Sequence, residues 1–322
     1  MFKGPKVIAI FGTKGGVGKS VIATNLAVSL ASQTGKRVAL LDLDLRFGGD
    51  LAKMLSLSPK KSLAEISAVL SQSNKSKDVS IEDYMVKHPS GVDLLTAILK
   101  PRHAPLITPP VMEKIFELLR ASYEYIVVDA GKSFTDVLIS TFDNANLILL
   151  VLTPDTLAVY QTQWNLETIE SLHFPLSMVK VILNRFQSKG GVPRKEVEAV
   201  MPCGIIASIP SEGKIVGLAI NKGIPAVIDS PRSGVSDAVK GLASLLSSEQ
   251  AEKIFIERQG TARPRVKEKP PEEEQFWEKY GQAEEVIDLT GERQKEKEDE
   301  IIILKQKIHE RLLDELDLKN WM

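Results

Sequence analysis

Cysteine is almost absent from these 322 residues, and Cys203, beside Pro202, is the only one. A single thiol closes no internal disulfide, and it builds neither a Cys-x-x-Cys metal site nor a cysteine-held iron–sulfur cluster within one chain. It reads as an inert packing residue. Long apolar runs are missing too. Nothing approaches the roughly 18 consecutive apolar residues of a membrane-spanning helix. The opening "MFKGPKVIAIFG" turns polar and glycine-rich too soon for a secretory signal. Neither sign of charge dominates, since the formal net charge is −1. That balance hides an asymmetry: from Glu257 onward 13 basic residues face 18 acidic ones, leaving 28 against 24 in the body before it. A mildly basic body with an acidic tail is unlike a dedicated nucleic-acid binder, so no specific nucleic-acid partner is expected. The expectation is a reduced, soluble, cytoplasmic protein.

What is present is an ordinary supply of core. Hydrophobic residues make up 43% of the chain, enough for a substantial globular domain. Short β-branched runs bounded by Gly, Pro, Asp or Asn read as buried strands: "KVIAIFG" (6–12), "RVALLDLDL" (37–45), "YEYIVVDAG" (123–131), "NLILLVLTP" (146–154), "MVKVILNRF" (178–186) and "GIIASIP" (204–210). "GVDLLTAIL" (91–99) is a further candidate. Helical patterns lie between them, such as "GKSVIATNLAVSLASQTG", which closes on Gly35. Strand–helix alternation predicts an α/β fold with a mostly parallel sheet and helices on both faces, over residues 1–256. Residues 257–299, rich in Pro, Glu, Lys and Gln, read as a flexible charged linker. In 300–322, Ile301, Leu304, Ile308, Leu312 and Leu316 form one apolar stripe of an amphipathic C-terminal helix.

The stretch Gly12, Thr13, Lys14, Gly15, Gly16, Val17, Gly18, Lys19, Ser20 fits G-x-x-x-x-G-K-[ST]. It follows a strand and opens a helix, the context that a phosphate loop needs, and Val21 counts with the loop among the expected nucleotide-binding residues. Its glycines let the backbone wrap around phosphates with amide groups pointing inward, and the helix N-terminus adds positive potential. Lys19 then meets the β- and γ-phosphates, and the Ser20 hydroxyl ligates Mg²⁺. Asp42 and Asp44 lie two residues apart, on one face of an extended chain. Carboxylates on the core side of a buried strand need a reason. A ligand site at the carboxyl end of a parallel sheet supplies one, and capping of the following loop is the plainer alternative. In "YIVVDAG", four apolar or aromatic residues precede Asp129, an acid suited to hold a Mg²⁺-bound water. Gly131 is placed to offer its N–H to a γ-phosphate.

A minimal phosphate loop needs one lysine, and Lys14 is a second. Taken alone it is a solvated loop residue. The run K-G-G-V-G-K-S, however, resembles the deviant Walker A motif of the MinD/ParA family of P-loop ATPases, and the resemblance covers roughly residues 6 to 246. It implies ATP and Mg²⁺ as cofactors and a homodimer formed on ATP binding. Lys14 would cross to phosphate bound by the partner subunit, as an arginine finger does. By the same resemblance Asp44 orients the attacking water, so that Lys14, Lys19 and Asp44 are the catalytic set. Asp42 lies near Mg²⁺ with Ser20 and Asp129. Asn184 reads adenine, Arg185 stacks nearby, and the Pro210 loop flanks the base. Otherwise an Asn at a strand end is a turn former. The family often has a proline soon after its Walker B acid, whereas Ala130-Gly131-Lys132-Ser133-Phe134 follows here.

Two runs narrow the resemblance. "DLDLRFGGDLAKMLSLSPKKSLAEI" and "DAGKSFTDVLISTFDNANLILLVLTPD" look like the CpaE/TadZ branch, which positions Tad-type (type IV) pilus machinery at the cytoplasmic membrane. The tail "LKQKIHERLLDELDL" resembles the N-terminal helix of CpaF-type secretion ATPases. It implies a secretion or pilus ATPase, or its platform, as partner. Peripheral attachment to the inner face of the cytoplasmic membrane is the rival for that helix. Its balanced charges, Lys305, Lys307, Arg311 and Lys319 against Glu310, Asp314, Glu315 and Asp317, favour a protein partner. Iron–sulfur carriers of the superfamily need paired cysteines, which this chain lacks. A ParA-like DNA-partition ATPase, a MinD-like membrane-cycling ATPase and a non-hydrolysing scaffold remain as alternatives.

Overall fold

In a parallel sheet each strand needs cover on both faces, because crossover helices pack above and below it. The computed structural model describes residues 4–12, 14–45, 48–70 and 79–257, and meets that demand. Its strands are β1 (Lys6–Phe11), β2 (Val38–Asp42), β3 (Val86–Lys87), β4 (Val92–Thr96), β5 (Tyr125–Asp129), β6 (Leu147–Leu152), β7 (Val179–Phe186) and β8 (Ile205–Pro210). They form one sheet in the order β3-β4-β2-β5-β1-β6-β7-β8. Only the β3–β4 pair is antiparallel. The helices are α1 (Lys19–Thr34), α2 (Asp50–Met54), α3 (Leu63–Leu70), α4 (Pro109–Ser122), α5 (Asp136–Asn144), α6 (Thr156–Ser171), α7 (Arg194–Val200), α8 (Gly213–Lys222), α9 (Ala226–Asp229) and α10 (Gly234–Ser247).

Side chains alternate between two cores. Along β1, Val7, Ala9 and Phe11 join one, with α3 to α7 over them, while Ile8 and Ile10 join the other, under α1, α2, α9 and α10. The central helix α1 is buried along nearly its whole length. It ends where Gly35, at φ 63°, donates its N–H to the Ala31 carbonyl. The candidate strand at 91–99 is β4, and it lies inside the sheet between β3 and β2. β3 is two residues long, too short to leave a period in the sequence. β2 stops at Asp42, so Asp44 stands in the following loop and the two acids do not share a face of one strand. Apart from Glu257, the expected linker and the C-terminal helix lie outside the described residues.

The carboxyl ends of β1, β2, β5 and β7 gather Gly12, Asp42, Asp129 and Asn184 at one edge of the sheet. An aromatic chain holds this edge from beneath. Phe11 lies edge-on to Phe134 at 5.1 Å and to Phe142 at 5.4 Å, and Phe142 to Phe174 at 5.5 Å. Phe142 is 1% exposed. Phe142→Ala should therefore cost about 3–5 kcal/mol in urea unfolding.

At the opposite end of the sheet Glu82 ties a one-turn helix to two neighbours. It accepts Arg37 Nη2 at 3.1 Å and Ser80 Oγ at 2.8 Å. Hydrogen bonds from Ser122 first, then Ser80 and Arg37, outweigh desolvation and bring Glu82 down to about 2. A depressed carboxylate stabilises the fold above its unfolded pKa, and that contribution disappears as pH falls from about 4.5 towards 2. The destabilisation caused by Glu82→Gln should accordingly be largest near pH 6 and shrink by pH 3, as followed by urea unfolding at each pH.

Candidate functional site

β1 delivers the chain to Gly12 against the neighbouring strand, where a Cβ would stand 2.7 Å from the Val151 carbonyl oxygen. The loop ends at Gly18, which caps α1 in the left-handed region at φ 97°. A Cβ there would collide with the Asn184 amide, so only glycine meets both demands. Gly15 and Gly16 have open space where side chains would project. Val17 is buried beneath the loop, and Val21 is half-buried in the first turn of α1. Thr13 lies outside the described residues.

Lys19 is buried, and its Nζ reaches back into the loop to the Lys14 carbonyl at 3.4 Å. Burial lowers its pKa most; Asp129 opposes this, Lys132 reinforces it and Asp44 opposes it. From β7, Asn184 Nδ2 donates to the Val17 carbonyl at 2.6 Å and Arg185 Nη2 to the Gly16 carbonyl at 2.8 Å. Arg185 adopts a left-handed φ of 54°, where the β7–β8 register slips between Leu183 and Phe186. Both residues expected at the base thus brace the phosphate-loop backbone. Pro210 ends β8 opposite Phe186 and packs close to Gly234 at the start of α10.

On the acidic side, Asp42 and Asp129 are direct neighbours in the β2–β5 register. Both oxygens of Asp42 accept backbone N–H groups, Oδ1 from Asp44 at 3.1 Å and Oδ2 from Gly49 at 3.0 Å. Its carboxylate therefore clasps the two ends of the loop that carries Asp44. Burial and then the charge of Asp129 push Asp42 up to about 7, against those two amides. Burial likewise raises Asp129, while the Ser20 hydroxyl, Lys19 and the Gly131 N–H pull it down. Asp129 Oδ1 is buried and accepts no hydrogen bond. An unsatisfied buried carboxylate oxygen beside a serine hydroxyl suits a hydrated divalent cation. Ser20 and Asp129 are the residues that fit Mg²⁺. Asp44 lies near enough to act on Lys19 and Asp129, and it lines a cavity of about 70 Å³ with Gly131, Lys132 and Thr135.

Lys14 is engaged differently. Its Nζ lies 2.6 Å from Asp155 Oδ1, in an ion pair about one-third exposed on the lysine side. Asp155 is held in turn by the Thr153 hydroxyl at 2.6 Å and by the Ala158 N–H at 3.0 Å, as the N-cap of α6. Asp155 is a site residue that the sequence alone does not point to. "LTPDT" signals a strand end and a helix cap, but nothing local pairs it with a lysine 141 positions earlier.

These elements amount to a glycine-rich loop beside a buried acid at the edge of a parallel sheet. A family model described as "ParA: NUBPL iron-transfer P-loop NTPase" matches residues 4–246. The chain belongs to this ParA family of P-loop NTPases. The septum site-determining protein MinD of Thermotoga maritima is 28% identical over 249 residues, covering 76% of this chain and 88% of that protein. An iron–sulfur cluster carrier protein of Aquifex aeolicus is 26% identical over 261 residues, 77% of this chain and 69% of its own length. Among solved structures, a ParA family ATPase from Chlorobium tepidum has a TM-score of 0.68 at 24% identity, covering 74% of this chain and 98% of that one. MinD from Pyrococcus horikoshii, complexed with Mg-ADP, has 0.66 at 23%, covering 77% and 98%. These similarities support the MinD/ParA family and do not single out the CpaE/TadZ branch or a CpaF-like tail.

Because Asn184 supports the loop itself, Asn184→Ala should weaken ADP and ATP binding alike. The expected loss is about tenfold for one buried hydrogen bond, measured by calorimetric titration of both nucleotides.

Proposed function

We propose that the chain is a Mg²⁺-dependent ATPase switch that dimerises with ATP bound and hydrolyses it slowly. The observation that carries this reading is the pair of lysine positions. Lys19 fills the loop from within, while Lys14 is held on Asp155, where an exposed ion pair is weak enough to exchange. In the proposed cycle the phosphates displace the Lys19–Lys14 carbonyl contact and take the loop amides. Ser20 and Asp129 would hold Mg²⁺, which when bound would supply neutralisation of the phosphate charge. Asp44 accepts a hydrogen bond from the attacking water and aligns it. Lys14 leaves Asp155 for the γ-phosphate of the partner subunit, so that the transferring charge is met only in a dimer. Release of phosphate returns Lys14 to Asp155 and separates the subunits.

For the work that this switch performs, we favour placement of a Tad/type IV pilus or secretion machine at the inner face of the cytoplasmic membrane. Support comes from the likeness of residues 42–66 and 129–155 to the CpaE/TadZ branch and of the tail to CpaF-type ATPases. The tail lies outside both the described residues and the matched span. Iron–sulfur transfer, raised by the family description and by the Aquifex aeolicus relative, fits poorly. The one cysteine, Cys203, is buried, and burial raises its pKa away from the thiolate that metals bind. DNA partition or MinD-like membrane cycling would use the same ATP cycle. Capture from native cells with and without residues 300–322, in ATP, separates them: a secretion ATPase recovered only with the tail supports the pilus reading, and chromosomal DNA or lipid overturns it.

The cycle itself is tested by light scattering and phosphate release. The protein should be dimeric in ATP and monomeric in ADP, with turnover per subunit rising with protein concentration. Lys14→Ala should bind ATP yet lose turnover by about 10³-fold, as loss of a cation supplied in trans does. A monomer in ATP whose turnover ignores both concentration and Lys14→Ala would sink the proposal. Asp155→Asn, which loosens the hold on Lys14, should shift dimerisation in ATP to lower protein concentration.

A further inference from the structure

We propose that Lys132 is an additional phosphate-binding residue, which contacts the γ-phosphate of ATP bound to its own subunit. The inference rests on the ATPase reading above and adds to it a residue outside the phosphate-loop motif. Lys132 stands three residues after Asp129, on the turn that begins at Gly131, whose φ is 75° and whose N–H faces the Asp129 carboxylate. It lines the cavity of about 70 Å³ with Asp44, alongside the apolar walls formed by Leu43, Leu45, Val137 and Leu138. Its ammonium also lies within electrostatic reach of Lys19.

Three lysines therefore surround this edge of the sheet, and their engagement differs. Lys19 is buried and bonded to the loop, and Lys14 is paired with Asp155. Lys132 is exposed and forms no salt bridge among the described residues. Two ammonium groups within electrostatic reach of each other are an unfavourable arrangement on their own. A polyanion between them converts that repulsion into two attractions, so the pair favours a ligand with concentrated negative charge. The position along the ligand follows from the neighbours. The loop amides and Lys19 face the phosphates nearest the helix, whereas Lys132 borders the cavity with Asp44, where the terminal phosphate and the attacking water would meet. ADP carries nothing to that place. Lys132 would thus sense the γ-phosphate in cis before Lys14 is recruited in trans. The turn that carries it also bears Phe134, packed edge-on against Phe11, so the signal would start from a rigid base.

The test uses the full chain titrated calorimetrically with Mg-AMPPNP and with Mg-ADP. Lys132→Ala should weaken Mg-AMPPNP about tenfold or more, as loss of a charge-assisted hydrogen bond does, and should change Mg-ADP less than about twofold on the same grounds. Lys132→Arg should restore most of the discrimination. Equal losses for both nucleotides, or none for either, overturn the inference while leaving the ATPase reading intact. Failure of the unaltered protein to bind either nucleotide overturns both. Because Lys132 is exposed, an unchanged melting temperature without nucleotide is expected, and Lys132→Gln provides a second folded variant.

Discussion

The burial of Asp129 is the constraint around which the rest of this structure is arranged. A carboxylate at the centre of a parallel sheet, with one oxygen lacking any hydrogen-bond donor, is costly in a low-dielectric interior. Its neighbours offset that cost in part: Ser20, the Lys19 ammonium and the Gly131 N–H all favour the charged form. Asp42 beside it increases the electrostatic penalty and is itself retained by two loop amides. Such an arrangement is weak evidence for stability and better evidence for a site prepared for a cation.

Around that acid the glycine loop solves a packing problem. The backbone at Gly12 approaches Val151 too closely for a side chain, and Gly18 combines a left-handed conformation with contact to Asn184. Asn184 and Arg185 then tie the loop carbonyls to β7, so that its amides remain available to an anion. The same geometry explains why residues expected to face a base are first of all supports of the loop. Cations are graded around it, from a buried lysine through an ion-paired one to an exposed one.

Much of this was legible in the sequence. The β-branched runs before Gly12, after Gly35 and before Asp129 lie on the central strands, because burial on both faces leaves an uninterrupted apolar signature. The run from Gly12 to Ser20 marks the phosphate loop, and Gly12 and Gly18 stand where a side chain has no room. Less legible were elements whose cause is remote. β3 is only two residues long, and its register comes from β4. Asp42, at the end of β2, is held by the Gly49 amide, seven positions on.

Composition and local pattern by themselves determined the α/β class, the phosphate loop with Lys19 and Ser20, and the acid at Asp129, since each follows from periodicity or from steric rules acting within a few residues. Only the tertiary structure decided how the remaining groups are engaged. Lys14 meets Asp155, Asn184 meets Val17, and Lys132 comes within reach of Lys19 and Asp44. Those encounters join residues from different strand ends. They depend on strand order and loop closure, which local sequence does not encode.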